Sequence, residues 1–428
     1  MVKKTRSTNV KIILLVLTFL GIIVITVGLF FTFNKGTSEK DIGKFEVSEN
    51  TYYVSQNEEG ATNENNGLYP YYKGEINGPF KDLNFNKEKL PKNKPFKIML
   101  REGIYKIPLN GLHIYQSGNE KEYILITNFP NEEVVIDGDN KEIALKLDGN
   151  YIKIENLEIR NSKIYNIQVK SKNIEIKNNM IHGSFEDNIK ILSSSSRVLI
   201  ENNEIYDFGK EGIDVFGSDV SINNNFIHSS KKSLIGNKEA HCFLAKGGSE
   251  DVIFSNNMCE DVDSDWGGAV MLGGLSGTNY TKKDHLGNFY PQGRNIKATK
   301  NKFSNIRGGA VSFIECINCS FTENTINDAY WGIKLVSGPN FDTKDAIISK
   351  NDFKIVNNGI IAVIEEPTKI REFDFNKYNV GVVKYILRKK STYIENDEET
   401  QQIISNDKKE AHIKEINDMG FERNSIFT

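Results

Sequence analysis

The sequence lacks an excess of charge of either sign. Its 428 residues carry 54 Lys and Arg against 57 Asp and Glu, a formal net charge of −3. Nucleic-acid-binding domains usually show a basic surface and a high isoelectric point, so we expect no nucleic-acid partner. A hydrophobic content of 38%, with abundant asparagine, favours many short strands joined by polar turns over a helical bundle.

Cysteine is also scarce, since the chain contains only four of them, at positions 242, 259, 316 and 319. The C-x-x-C formed by Cys316 and Cys319 has neither a second pair nor a nearby histidine, which makes it a poor zinc signal. No βαβ pattern surrounds it, which argues against redox chemistry. We interpret the four cysteines as small residues of the core or of turns, with a local disulfide between Cys316 and Cys319 as an option.

One segment lacks charge altogether. Residues 12–33 are uncharged and long enough to cross a bilayer as a helix. Lysines and an arginine precede this segment, so residues 1–11 are predicted to form a cytoplasmic tail and the rest of the chain to lie outside the cell. No small-x-small cleavage site follows, which favours a single-pass signal anchor in the cell membrane over a cleaved signal peptide. Residues 34–50 then form a polar tether.

A short phrase, apolar-x-apolar-x-x-Asn-x-apolar, recurs along the middle of the chain. The asparagines are Asn179, Asn203, Asn225, Asn257, Asn301, Asn324 and Asn351. Within each phrase the apolar residues alternate with period two, as in a strand. Repeats of about 22–24 residues predict a right-handed parallel β-helix with three strands per coil. The asparagines would then stack at one bend, where this residue type also tolerates a left-handed backbone. The leucine spacing of a leucine-rich-repeat horseshoe is absent.

Each coil also contains an inward apolar residue followed by an outward residue. Asp214 and Lys246 both lie 11 residues before their asparagine, and Lys190 lies 13 before its own. With a two-residue bulge allowed, the three are predicted to form one outward column on consecutive coils. A second column, three residues earlier, contains Asp187 and Glu211, with His241 nearby.

Several phrases resemble those of pectate-lyase-like β-helix proteins. They are "YYVSQNEEG" and "KIMLREGIYKI" near the start, "FLAKGGSEDVIFSNN" in the middle, and "MGFERNSIF" at the end. The resemblance covers residues 51–428. We expect an N-terminal cap over 51–95, the β-helix over 96–367, and late strands with a C-terminal cap over 368–428. The cap is expected to include a helix over 397–419.

The resemblance implies an enzyme acting on an acidic polysaccharide, most often by β-elimination of uronate units. Such a lyase takes the C5 proton with a base and neutralises the uronate carboxylate, commonly with Ca²⁺. The predicted base is Lys246, while Lys190 and Arg307 would answer the substrate charge. The predicted Ca²⁺ or orienting ligands are Asp187, Glu211 and Asp214. The predicted substrate-binding residues are His241, Trp266, Tyr280 and Tyr290, the last three in long insertions that would wall a groove.

Other interpretations remain open at this point. Lys190, Asp214 and Lys246 could form an ion-pair ladder on a solvated sheet face. A glycoside hydrolase on the same fold would need two carboxylates flanking the bond, which Asp214 with Asp187 or Glu211 could supply. A non-catalytic glycan-binding protein and a scaffold for exopolysaccharide assembly are further alternatives. We expect the protein to be a monomer.

Overall fold

The computed structural model describes residues 50–427 apart from 93, 231–239, 264–267, 278, 355, 357–358, 380–383, 389–400, 406–416 and 418–419. Within these residues there is no helix with the length and apolar character needed to cross a bilayer. The predicted tail, anchor and tether at 1–11, 12–33 and 34–49 lie outside them.

Short strands make up almost all of the regular structure. The first nineteen are β1 (Thr51–Val54), β2 (Lys97–Leu100), β3 (Gly103–Lys106), β4 (Leu112–Ile114), β5 (Ile124–Asn128), β6 (Val134–Asp137), β7 (Ile143–Leu147), β8 (Ile152–Glu155), β9 (Glu158–Arg160), β10 (Tyr165–Val169), β11 (Lys172–Lys177), β12 (Met180–His182), β13 (Asp187–Ile191), β14 (Ser196–Glu201), β15 (Glu204–Tyr206), β16 (Glu211–Val215), β17 (Ser218–Asn223), β18 (Phe226–His228) and β19 (His241–Ala245).

The chain continues in the same manner to its end. The remaining strands are β20 (Ser249–Ser255), β21 (Met258–Val262), β22 (Gly268–Gly273), β23 (Gly293–Arg294), β24 (Lys297–Thr299), β25 (Lys302–Ile314), β26 (Cys316–Ile317), β27 (Ser320–Thr322), β28 (Thr325–Ile326), β29 (Ala329–Val336), β30 (Ala346–Ser349), β31 (Asp352–Phe353), β32 (Ile360–Glu365), β33 (Ile370–Asp374), β34 (Lys377–Tyr378), β35 (Lys384–Arg388), β36 (Gln401–Ser405) and β37 (Ile426–Phe427). One 3₁₀ turn, Lys87–Lys89, lies between β1 and β2.

Strands pair in parallel with the equivalent strand of the next coil, as the repeat predicts. One path runs β1-β2-β5-β8-β11-β14-β17-β20-β24-β27-β30-β33. The other strands form two further parallel runs, which include β10–β13–β16–β19–β22 and β12–β15–β18–β21. Inward residues such as Ile189, Ile213 and Phe243 stack on one another in the buried core. The predicted parallel β-helix is therefore confirmed.

The recurring asparagines stack as predicted. Asn203 donates both its backbone N–H and its Nδ2–H to Oδ1 of Asn225, at 2.9 and 3.0 Å. The same pair of bonds links Asn225 to Asn257, and the series continues through Asn376. Each side chain thereby satisfies buried backbone groups that the bend leaves unpaired.

The left-handed backbone does not fall on the stacked asparagine. It falls on the residue before it, where φ is +56° at both Asn202 and Asn224. In the later coils Lys300, Glu323 and Lys350 occupy this position with similar φ values. The stacked asparagine is therefore required for its amide, and the backbone turn tolerates other residue types.

Two disulfides lie inside the coils. Cys316 and Cys319 form the local bond considered from the sequence. Cys242 and Cys259 are also bonded to each other, which joins β19 to β21, so their interpretation as unbonded core residues is wrong. The sequence places these two on different strands, and only the coil geometry brings them within bonding distance.

The C-terminal helix predicted over 397–419 is wrong where the structure describes this segment. Gln401–Ser405 is β36, which pairs antiparallel with β35 from Lys384↔Ser405 to Arg388↔Gln401. An unpaired strand edge at the end of the solenoid offers backbone partners, and tertiary pairing of this kind overrides local propensity.

Replacing Asn225 with alanine is expected to destabilise the protein by about 2–3 kcal/mol, because buried donors on Asn203 lose their acceptor. The matched control is Asn223→Ala, a partly exposed residue of the same coil outside the stack. Urea unfolding of the two variants measures the difference. Equal effects would show that the stack contributes nothing special.

Candidate active-site groove

Three neighbouring strands, β13, β16 and β19, carry the predicted charged columns. Lys190 lies opposite Asp214, and Glu211 lies opposite His241. These four side chains and Asp187 point outward, yet all are buried. The interpretation as a solvated ladder on a sheet face is therefore wrong.

These side chains are buried because flanking segments enclose a groove of about 390 Å³ over the strands. The segment 275–280 contributes Leu275, Ser276, Gly277, Asn279 and Tyr280 to its lining. The rest of the lining comes from Tyr165, Glu186, Asp187, Lys190, Leu192, Ser193, Lys210, Glu211, Asp214, Phe216 and Lys246. The long insertion after β22 thus builds a wall, as expected from its length.

Lys190 lies at the centre of the charged cluster. Its Nζ forms an ion pair with Asp214 and lies 3.7 Å from Oδ2 of Asp187. The ring of Phe216 is 4.1 Å from the same ammonium. Burial alone would lower the pKa of Lys190, but the charges of Asp214 and Asp187 outweigh it and the net shift is upward. Lys190 therefore stays charged and is a poor base.

The two carboxyl groups beside this lysine differ. Burial, reinforced by the negative charge of Asp214, raises the pKa of Asp187 well above its usual value, although Lys190 opposes the shift. Asp187 therefore tends to hold its proton near neutral pH. One oxygen of Asp214, Oδ1, is buried without a hydrogen-bond partner in the part of the chain that the structure describes. That atom is available to a bound molecule.

Glu211 and His241 form a second pair, with Oε2 of Glu211 at 2.7 Å from Nδ1 of His241. Burial would raise the pKa of Glu211, but the charge and hydrogen bond of His241 outweigh it, and the net shift is downward. His241 is only 1% exposed and does not line the groove. It holds Glu211 from behind, so we do not assign it the direct substrate contact expected from the sequence.

The predicted register is wrong for Lys246. Leu244 lies opposite Asp214, and Lys246 follows the end of β19 at the Gly247–Gly248 turn. Leu244 lies 13 residues before its asparagine, as Lys190 does, so the coil of Asp214 is the shorter one. Lys246 still reaches the groove, where its Nζ is 5.8 Å from the Phe216 ring. Among the described residues, none of its neighbours forms a salt bridge with it.

The other predicted residues are distributed differently. Tyr280 lines the groove and is 71% exposed. The Lys282 ammonium lies 5.1 Å from the ring centroid of Tyr290, which is not among the lining residues. Arg307 pairs with Asp263 at 2.7 Å and also lies outside the lining. Trp266 is outside the described residues.

Sequence reasoning missed Phe216, which forms part of the groove and contacts Lys190. Strand alternation contained the signal, because inward Ile213 and Val215 place Asp214 and Phe216 on the outward side. A large apolar residue at an outward position indicates that something covers it. Here the cover is the groove itself.

The arrangement does not fit the predicted Ca²⁺ site. Calcium prefers six to eight oxygen ligands. The Lys190 ammonium already occupies the space between Asp187 and Asp214, and His241 holds Glu211. Over the described residues there is no cluster of three acidic, histidine or cysteine side chains suited to a metal ion. We therefore assign no metal ligands to this groove.

Comparison with known proteins agrees with this architecture. Residues 109–283 match the family model described as "Right handed beta helix region". The fold is that of the pectate-lyase-like right-handed β-helices. No curated protein matches the sequence.

Solved structures with a similar course include three proteins of different activity. Pectate lyase Pel9A is 16% identical, with a TM-score of 0.47, over 75% of this chain and 76% of its own. The lacto-N-biosidase of Eubacterium ramulus is 14% identical, with a TM-score of 0.48, over 80% and 67%. An alginate lyase of Paenibacillus sp. is 15% identical, with a TM-score of 0.44, over 67% and 92%. Similarity at this level carries no information on the activity of the β-helix.

Replacing Lys190 with methionine is expected to lower the free energy of unfolding by about 3 kcal/mol at neutral pH, because two buried carboxyl groups lose their counter-charge. The loss should shrink on acidification, which neutralises those groups. The control is Lys146→Met, two coils earlier in the same column. A pH-independent loss would contradict the electrostatic account.

Removing divalent cations is expected to leave the melting temperature unchanged, because the ammonium of Lys190 supplies the charge that calcium would otherwise provide. Differential scanning calorimetry with EDTA, and then with added Ca²⁺, tests this. A Ca²⁺-dependent rise that is lost in Asp214→Asn would restore the metal site.

Proposed function

We propose that the groove hydrolyses glycosidic bonds of a polysaccharide, with Asp187 as the proton donor and Asp214 as the nucleophile. The observation that carries this proposal is one buried ammonium, Lys190, contacting two carboxyl groups with different electrostatic environments. Pairs of carboxyl groups with separated roles in one cleft are the usual machinery of glycoside hydrolysis.

The proposed steps use only groups of this chain and water. The Asp187 proton goes to the glycosidic oxygen, while Oδ1 of Asp214 forms a bond to the anomeric carbon. Water then attacks that carbon, Asp187 takes a proton from it, and the carboxylate of Asp214 is released. Because both carboxyl groups reach the same ammonium, they lie close together, which favours the covalent, retaining mechanism over the inverting one.

The groove also offers groups for holding a sugar chain. Tyr280 presents an exposed ring on the wall, and aromatic rings commonly stack against sugars. Lys246 extends into the groove beside Asp214 and Phe216. We propose that it binds an acidic group of the substrate, in keeping with an acidic polysaccharide.

The two disulfides favour a site of action outside the cell, since such bonds persist mainly in oxidising compartments. We propose that residues 12–33 hold the protein at the outer face of the membrane.

One observation favours a second candidate, β-elimination of a uronate polymer. Lys246 lines the groove, and within the described part of the chain it forms no salt bridge that would fix its proton. A lysine in that position could take the C5 proton of a uronate. Lys190 is less suited to that role because its neighbours raise its pKa.

The test uses the full-length protein with pectate, alginate, glycosaminoglycans and neutral glycans. Hydrolysis predicts new reducing ends that carry ¹⁸O from labelled water. Asp187→Asn should reduce the rate by about 10³-fold, through loss of the proton donor. The matched control is Asp219→Asn, an exposed aspartate of β17, which should leave the rate unchanged.

Two outcomes would contradict hydrolysis. Ultraviolet absorbance of an unsaturated uronate, abolished in Lys246→Ala, would establish elimination instead. Tight retention on one glycan with no product would favour a binding protein.

A further inference from the structure

The asparagine stack ends at the C-terminal segment in a different type of contact. Asn376 is its last member, and its backbone N–H donates to Oγ of Ser425 at 2.8 Å. Its Nδ2 donates to Oε2 of Glu422 at 3.3 Å. Glu422 and Ser425 therefore take the place of the next asparagine.

Glu422 is buried among hydroxyl donors. It is 1% exposed, and its Oε1 accepts hydrogen bonds from Tyr378 and from Tyr385, the latter at 3.2 Å. Ser425 donates to its Oε2. Burial raises the pKa of Glu422 to about 7, although these donors oppose the shift.

Few other ionisable groups face this carboxyl. Burial, with the charge of Glu422, raises the pKa of both Tyr378 and Tyr385 well above its usual value, so these phenols stay neutral. Asp374 of β33 approaches Ser425, at 3.5 Å, and accepts a hydrogen bond from Asn424. Among the described residues, Glu422 forms no salt bridge. Its protonation state is therefore set by burial and hydroxyl groups.

The segment carrying Glu422 is attached by little else. β37 pairs with β34 through only two residue pairs, Lys377↔Ile426 and Tyr378↔Phe427. The backbone N–H of Glu422 adds one bond to Phe373 O. A segment held by so few contacts opens at low cost, so one buried carboxyl can shift its equilibrium measurably.

We propose that residues 420–427 form a pH-sensitive clasp, which closes the last coil while Glu422 is protonated and loosens as this carboxyl ionises. In the open state Glu422 would titrate near its ordinary value of 4.5, against about 7 in the closed state. The closed state therefore binds the proton more tightly, and its stability falls as the pH rises from about 4.5 to 7. Above about pH 7 both states are ionised and the loss levels off. This proposal does not depend on the proposed hydrolysis.

Hydrogen exchange of the full-length protein between pH 5 and 8 tests the clasp. The opening constant of 420–427 should rise by up to about tenfold per pH unit to pH 7 and then level off. Glu422→Gln should remove this rise, and comparison of the two proteins cancels the intrinsic pH dependence of exchange. Peptides from β14 and β17 serve as an internal control and should show no such difference. The same pH dependence in both proteins would overturn the proposal.

A second variant guards against loss of the segment in Glu422→Gln. Tyr378→Phe removes a donor that favours the ionised carboxylate, so the transition should move to higher pH. An unchanged midpoint would show that Glu422 is not the controlling group.

Discussion

The stacked asparagine amides are the interaction on which the rest of this structure depends. Each amide bonds the equivalent residue of the next coil, so neighbouring coils cannot slip by a residue without losing buried hydrogen bonds. A parallel strand spacing of about 4.8 Å then repeats along the solenoid. Outward side chains on consecutive coils are thereby placed at contact distance.

This register produces a charged cluster that would be unfavourable without its partners. Burying Asp187 and Asp214 costs free energy unless a cation accompanies them, and Lys190 from the same coil as Asp187 supplies it. A single cation between two acids cannot satisfy both equally. The resulting difference in proton affinity is what makes chemistry feasible in the groove.

The sequence predicted those features that depend on local periodicity. The asparagine spacing predicted the β-helix, and counting from it placed Lys190 opposite Asp214. The same counting misplaced Lys246, because coil lengths vary and only the paired structure shows where β19 ends. The Cys242–Cys259 bond and the enclosure of the groove by residues 275–280 depend on long-range contacts that no local pattern contains. The calcium site was inferred from acidic residue types alone, and the position of the Lys190 ammonium decides against it.

The most direct test of the account is a crystal structure of the Asp187→Asn variant with a bound oligosaccharide from a polymer that the wild-type protein cleaves. The account predicts the glycosidic oxygen within hydrogen-bond distance of the substituted amide and the anomeric carbon facing Oδ1 of Asp214. A sugar chain bound elsewhere on the β-helix, or one whose uronate C5 faces Lys246 instead, would contradict it.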